Sequence, residues 1–280
     1  MYGRPEELGQ ALRWLAARRP AIIAGGTDFH PARVGRPPEA EILDLSRLAA
    51  LRGITADGSG WRIGALTTWT DVARASLPPL FDALAQAAVE VGGPQVQNRG
   101  TVGGNLCNAS PAADGVPALL ALDASVELAS LRGTRTLPLA DFVLGPRRTA
   151  LAPDELLVAI RVPQRGPSAR SRFVKLGHRR YLVISIAMVA AALDVDETGR
   201  IAWAGVAVGA CSAAARRLPA LEAALLGSPR AALADTAARA LRDPAALGPL
   251  APSDDVRGTA RYRLDAAGTL VARALGGLAS

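Results

Sequence analysis

The chain has 280 residues, of which half are hydrophobic and 20% charged, a balance that excludes a disordered chain, where low hydrophobicity accompanies high net charge. At ~150 residues per domain the length predicts two domains. The formal net charge of +7 is spread along the chain, and with only 4% aromatic residues to stack on bases no nucleic-acid partner is expected.

In chain order, Leu8, Ala11, Leu12 and Leu15 recur at helical spacing within residues 5–18, and residues 21–24 (AIIA) read as a short buried strand closed by Gly25 and Gly26. Residues 41–45 and 61–65 read as further strands, with turn chemistry at residues 57–60. Helices are expected over 70–75 and 79–91, the second stopped by Gly92, Gly93 and Pro94. After a glycine-rich centre at 100–115, strands are expected at 125–130 and 156–162. The segment 163–168 (PQRGPS) has linker composition and places a domain boundary. Residues 181–195 and 201–208 then read as a hairpin around 196–199, and the alanine- and leucine-rich remainder as mostly helix. The longest apolar stretch, 181–193, is 13 residues long. A membrane-spanning helix needs about 20, so no transmembrane segment is expected. The N-terminus mixes acids and arginines where a signal peptide needs an apolar run, which predicts a cytoplasmic protein.

Two glycine segments carry chemistry. In the first, residues 22–29 (IIAGGTDF), paired glycines after a strand let consecutive N–H groups converge on an anion. In the second, residues 101–114 (TVGGNLCNASPAAD), another Gly-Gly is followed by Asn105, Asn108 and Ser110 and then by Asp114, an acceptor suited to ribose or ribityl hydroxyls. Neither fits the Rossmann or P-loop spacing. Two separated phosphate-type segments point to a dinucleotide held extended between subdomains. Metal is another matter: Cys107, Cys211, His30 and His178 cannot build a four-ligand zinc or iron–sulfur centre within this chain, so any redox metal must be carried elsewhere.

At this point the residues carry a family resemblance. AGGTDFHP (24–31), NRGTVGGNLCNASPAADGVPALLALDA (98–124) and DELLVAIRVP (154–163) resemble the FAD-binding medium subunits of the molybdenum hydroxylases, the xanthine dehydrogenase and carbon monoxide dehydrogenase family. Residues 173–193, 208–227 and 253–263 resemble that family's C-terminal flavin-subunit domain, so almost the whole chain is covered. The resemblance implies an α+β fold of the vanillyl-alcohol-oxidase (PCMH) type. Two subdomains, about 1–55 and 56–165, would hold FAD within a 1–165 domain, followed by a C-terminal α+β domain over 170–280 with a small antiparallel sheet. It also implies that Ile22, Ile23, Ala24, Gly25, Gly26, Thr27, Asp28 and Phe29 wrap the FAD pyrophosphate and that Thr101, Gly104, Asn105 and Asn108 form a second wall. Asp114 would hold a hydroxyl of the flavin nucleotide, Leu157 would contact it, and Lys175 would sit near the flavin. Related oxidases with covalent flavin carry a histidine directly after the Gly-Gly; Thr27 stands there in this chain, which implies non-covalent FAD. The family more often has two aliphatic residues where Phe29 and His30 stand.

Lys175 is the only lysine among 32 basic residues, and a compact ammonium suits the edge of a flavin whose reduced form is anionic. His30 reads as a polar residue at a loop end, Cys107 as a small hydrophobe, and Trp14, Trp61, Trp69 and Trp203 as core or interface residues. The function implied is electron transfer: electrons from a molybdenum centre pass through iron–sulfur clusters to this FAD and on to NAD, oxygen or another acceptor. The implied partners are a [2Fe–2S] small subunit and a molybdopterin large subunit, and no residue of this chain is assigned a catalytic role. Two alternatives stand beside it, a self-sufficient FAD oxidase and a non-catalytic nucleotide-binding assembly subunit.

Overall fold

The computed structural model describes residues 1–35 and 41–279. Its N-terminal layer contains β1 (Tyr2–Gly3), α1 (Leu8–Arg18), β2 (Ala21–Ile23) and β3 (Ile42–Asp44), the three strands pairing in parallel with β3 in the middle. Ala11, Leu12 and Leu15 form the buried stripe of α1 and pack with Leu43, Leu156 and Val158. The helix stops at Arg19, where the backbone turns left-handed (φ 47°) and its N–H bonds the Leu15 carbonyl.

Next come β4 (Ile54–Ala56), β5 (Gly60–Gly64), α2 (Trp69–Arg74), α3 (Asp82–Glu90), α4 (Pro94–Arg99), α5 (Val102–Asn108) and α6 (Gly115–Ala121). They are followed by β6 (Ser125–Ser130), β7 (Gly133–Pro138), α7 (Leu139–Phe142), β8 (Val143–Gly145), β9 (Arg148–Thr149) and β10 (Leu156–Pro163). A five-stranded antiparallel sheet of order β4-β5-β10-β6-β7 results, with α2 to α6 inserted between β5 and β6. Two features go beyond the sequence expectations. α3 already ends at Glu90, and Pro94 opens α4, because its missing N–H costs nothing in a first turn. The glycine-rich centre carries a helix, α5, which Thr101 caps by accepting from the Gly104 N–H at 3.0 Å. Glycine's poor helix propensity yields there to close packing: a Cβ on Gly103 would lie 2.7 Å from both the Cβ and the carbonyl oxygen of Ala65.

The last part holds β11 (Arg170–Leu176), β12 (Ala187–Val195), β13 (Ile201–Gly209), β14 (Arg216–Arg217), α8 (Pro219–Leu225), α9 (Leu233–Ala240) and α10 (Ala260–Gly276). The strands form a four-stranded antiparallel sheet in chain order. β12 begins six residues later than the sequence predicts, and residues 177–186 before it are irregular, with Leu182 at φ 52°. β12 is apolar and buried from Ala187 to Leu193 because both faces are covered there. Met188, Ala190 and Ala192 join the cluster that includes Leu84, Leu106, Leu119 and Ile160, while Ala187, Val189, Ala191 and Leu193 pack with the residues of α8 to α10. The C-terminal end of α6 rests directly on β13, where a Cβ at Gly205 would lie 2.1 Å from the Ala121 carbonyl oxygen. The connection between β10 and β11 is pinned at several points. The Arg165 guanidinium lies 3.9 Å from the centre of the Trp203 ring, and Asp194 accepts from the Gly166 N–H at 2.7 Å and the Ser168 hydroxyl at 2.5 Å.

Candidate functional site

The first glycine segment leaves β2 and turns back along the end of α4. Gly25 touches main chain: a Cβ there would lie 2.0 Å from the Arg99 carbonyl oxygen. Gly26 has a different reason, a backbone at φ 77°, the left-handed region that side chains resist. Among the described residues, the N–H groups of Gly26, Thr27 and Asp28 donate to no backbone carbonyl, so this turn keeps donors for an incoming anion.

The second segment behaves otherwise. Val102 N–H donates to the Thr67 carbonyl at 2.9 Å, Gly103 to Ala65 at 2.9 Å, and Asn105 to Thr101 at 3.0 Å, while Gly104 donates to the Thr101 hydroxyl. Its backbone donors are engaged within the fold, and side chains are what it presents. The Asn105 Oδ1 is buried without a partner. Asn108 Nδ2 donates to Asp28 at 2.9 Å, tying the two segments together, and Asn108 Oδ1 accepts from Arg147.

Between the segments lies a cleft of about 390 Å³, within the range of small-molecule sites. It brings together Ile22, Ala24, Gly25, Gly26, Thr27, Asp28, Phe29, Thr101, Gly104, Asn105, Asn108 and Leu157. Ile23 is buried and does not line it. Sequence reasoning missed the apolar wall of Leu45, Leu66, Trp69, Val91, Val96 and Leu156, residues from scattered elements that read singly as core, and it missed Arg33 and Arg147. Trp69 does both jobs, being 1% exposed and facing the cleft. Cys107 also opens onto the cleft.

Asp114 and Lys175 do not line this cleft; they pair with each other. Lys175 Nζ lies 3.0 Å from Asp114 Oδ1 and donates to the Glu90 carbonyl at 3.3 Å, and the Ser185 hydroxyl donates to Asp114 at 3.1 Å. Burial pushes the Asp114 carboxyl up to about 6, against the opposing pull of the Lys175 ammonium. Lys175 lines a second pocket of about 490 Å³ with Glu90, Phe173, Arg179 and Arg180. Glu90 and Val91 are successive, so the pocket and the cleft flank the same end of α3.

This donor set fits an extended flavin dinucleotide. The apolar wall suits aromatic rings, the open N–H groups and two arginines suit phosphate, and the unpartnered Asn105 oxygen suits a hydroxyl or amino donor. Among the described residues no cluster of three or more His, Cys, Asp or Glu is placed to hold a metal ion, and no helix is long and apolar enough to cross a membrane.

Comparison with known proteins agrees with this geometry. Residues 1–165 match the family described as the FAD binding domain in molybdopterin dehydrogenase, and residues 172–278 match the CO dehydrogenase flavoprotein C-terminal domain. The chain is 37% identical over 215 residues to the nicotinate dehydrogenase FAD-subunit of Eubacterium barkeri, covering 75% of this chain and 73% of that one. It is 31% identical over 283 residues to the carbon monoxide dehydrogenase medium chain of Hydrogenophaga pseudoflava, covering 98% and 95%. The solved carbon monoxide dehydrogenase of the same organism, in a form lacking the Mo-pyranopterin moiety of its molybdenum cofactor, superposes with a TM-score of 0.85 at 32% identity over 99% of this chain and 96% of that one. The mixed helix-and-sheet fold, the cleft and both family matches therefore place this chain among the FAD-binding flavoprotein subunits of the molybdenum hydroxylases, oxidoreductase subunits that serve electron transfer.

Proposed function

We propose that FAD lies without a covalent link in the cleft between the 22–29 segment and α5, and that this chain relays electrons between partner-held iron–sulfur clusters and an external acceptor. The observation that carries the site is the contrast between the two segments: open N–H groups at Gly26, Thr27 and Asp28, and side chains at Asn105 and Asn108. When bound, FAD exchanges electrons singly with a cluster and in pairs with an acceptor. The protein's residues bind and orient it. Gly26, Thr27 and Asp28 hold phosphate oxygens through main-chain N–H groups, Thr101 and Gly104 shape the opposite wall, and Leu157 with Trp69 shields the rings from water. Asp114 and Lys175 stand as a buried pair where the ribityl and ring end would reach the end of α3. Thr27 offers no imidazole for covalent attachment.

The same reading divides the chain into a 1–165 FAD domain, with subdomains of about 1–55 and 56–165, and a 170–280 C-terminal domain whose last residue lies outside the described range. It assigns a [2Fe–2S] small subunit and a molybdopterin large subunit as partners, with NAD or another molecule as acceptor, in the cytoplasm. Two cysteines cannot ligate a [2Fe–2S] cluster, and relatives named as medium chains or FAD-subunits support a divided enzyme.

The test is the absorption spectrum of the purified chain followed by acid precipitation. Visible flavin bands and full release of flavin into the supernatant are expected. Colour remaining with the precipitate would overturn non-covalent binding, and a colourless chain that takes up no FAD would leave the assembly-subunit alternative. Turnover of an organic substrate by the metal-free chain alone would replace the reading with a self-sufficient oxidase.

A further inference from the structure

Arg147 sits in the turn of a short hairpin. It lies between β8 and β9 in the left-handed region at φ 58°, unfavourable for a residue with a side chain. Its N–H donates at 3.1 Å to the carbonyl of Ala109, which is itself left-handed (φ 47°) and ends α5. The turn is thereby fixed to the end of α5, and the Arg147 guanidinium donates to Asn108, whose amide donates in turn to Asp28. Three segments distant in sequence thus meet at the cleft through one polar chain.

The charges there do not balance for a diphosphate. Among the described lining residues Asp28 is the only carboxylate, and it stands beside the N–H groups that would receive phosphate oxygens. The backbone donors at the start of α5 are already engaged. Arg33 leans back on its own segment, 3.8 Å from the Phe29 ring centre and donating to the Phe29 carbonyl at 3.2 Å. Arg147 is the lining cation carried by the opposite wall, and a guanidinium binds phosphate oxygens through paired donors.

On the reading that the cleft binds FAD, we propose that Arg147 neutralises the dinucleotide's diphosphate, offsetting Asp28, and is a determinant of phosphate-bearing over phosphate-free flavin. The experiment titrates deflavinated full-length chain with FAD and with riboflavin at several salt concentrations, for the wild type, Arg147→Gln and Arg147→Lys. Arg147→Gln keeps a side-chain donor for Asn108 but removes the charge. It should weaken FAD by about ten- to a hundredfold. It should also flatten the salt dependence of FAD affinity and leave riboflavin affinity unchanged. Arg147→Lys should fall between, keeping the salt dependence. Equal weakening of FAD and riboflavin would show that Arg147 only supports the Asn108–Asp28 bridge, and unchanged FAD affinity with unchanged salt dependence would show no role; either overturns the proposal. A wild-type chain that binds no FAD would instead overturn the reading beneath it.

Discussion

At the scale of single residues, the lone lysine gains a structural reason. Lys175, with a side chain 6% exposed, bridges the Asp114 carboxylate and the Glu90 carbonyl, a span that suits a compact ammonium with rotating donors better than a planar guanidinium. The pair has a pH signature. Asp114 holds its proton more tightly folded than unfolded, so its stabilising contribution is complete below the ordinary value of 3.8 and is lost as pH rises through about 6. The unfolding free energy of the wild type relative to Asp114→Asn, from urea denaturation, should therefore fall between about pH 4 and pH 7, by about 2–3 kcal/mol. A flat difference would mean that Asp114 titrates as it does in the unfolded chain. The pairing itself was invisible in sequence, because residues 114 and 175 meet only through the packing of α6 against the sheet that carries β11.

At the scale of elements, the two Gly-Gly segments look equivalent in sequence and are not. The turn after β2 was readable from a short apolar strand followed by glycines, and it is a turn with open donors. The second is a helix, because Thr101 caps it and Ala65 and Thr67 accept the N–H groups a phosphate would otherwise take, contacts supplied by the chain between β5 and α2. Within the first turn the glycines differ as well. Gly26→Val should cut FAD content severely while the protein still folds, since the left-handed backbone costs a side chain about 1–2 kcal/mol and the nearest obstacle is the movable His30 ring at 2.9 Å. Gly25→Ala should lower the melting temperature itself, because its Cβ would sit 2.0 Å from a main-chain oxygen that cannot step aside. Flavin content per chain and thermal melts separate the two effects. Identical behaviour of both variants would show that the glycines share one role.

For the whole molecule, the buried cluster that begins under the five-stranded sheet continues through α3 and α6 onto β12, so the halves on either side of residues 163–168 share one interior. The Asp194 and Trp203 contacts pin the chain between them. A chain of this length ordinarily unfolds in steps. Here the shared interior should produce one cooperative transition in the flavin-free protein, with far-ultraviolet circular dichroism and tryptophan fluorescence changing together. Two separated transitions would mean that the 1–165 and 170–280 regions hold their structure independently.

Sequence alone determined what depends on local pattern: the helix of residues 8–18, the strand and glycine turn at 21–26, β10, the β12–β13 hairpin, and a flavin-subunit resemblance carried by runs of neighbouring residues. β7 escaped because it is largely exposed and shows no apolar alternation, and α6 because Pro117 sits in its first turn, a position a helix tolerates. Only the tertiary structure decided which donors remain open, which carboxylate is paired, and that Arg147 reaches the cleft. Those properties arise where segments far apart in sequence approach within hydrogen-bond distance, and no local pattern encodes the approach.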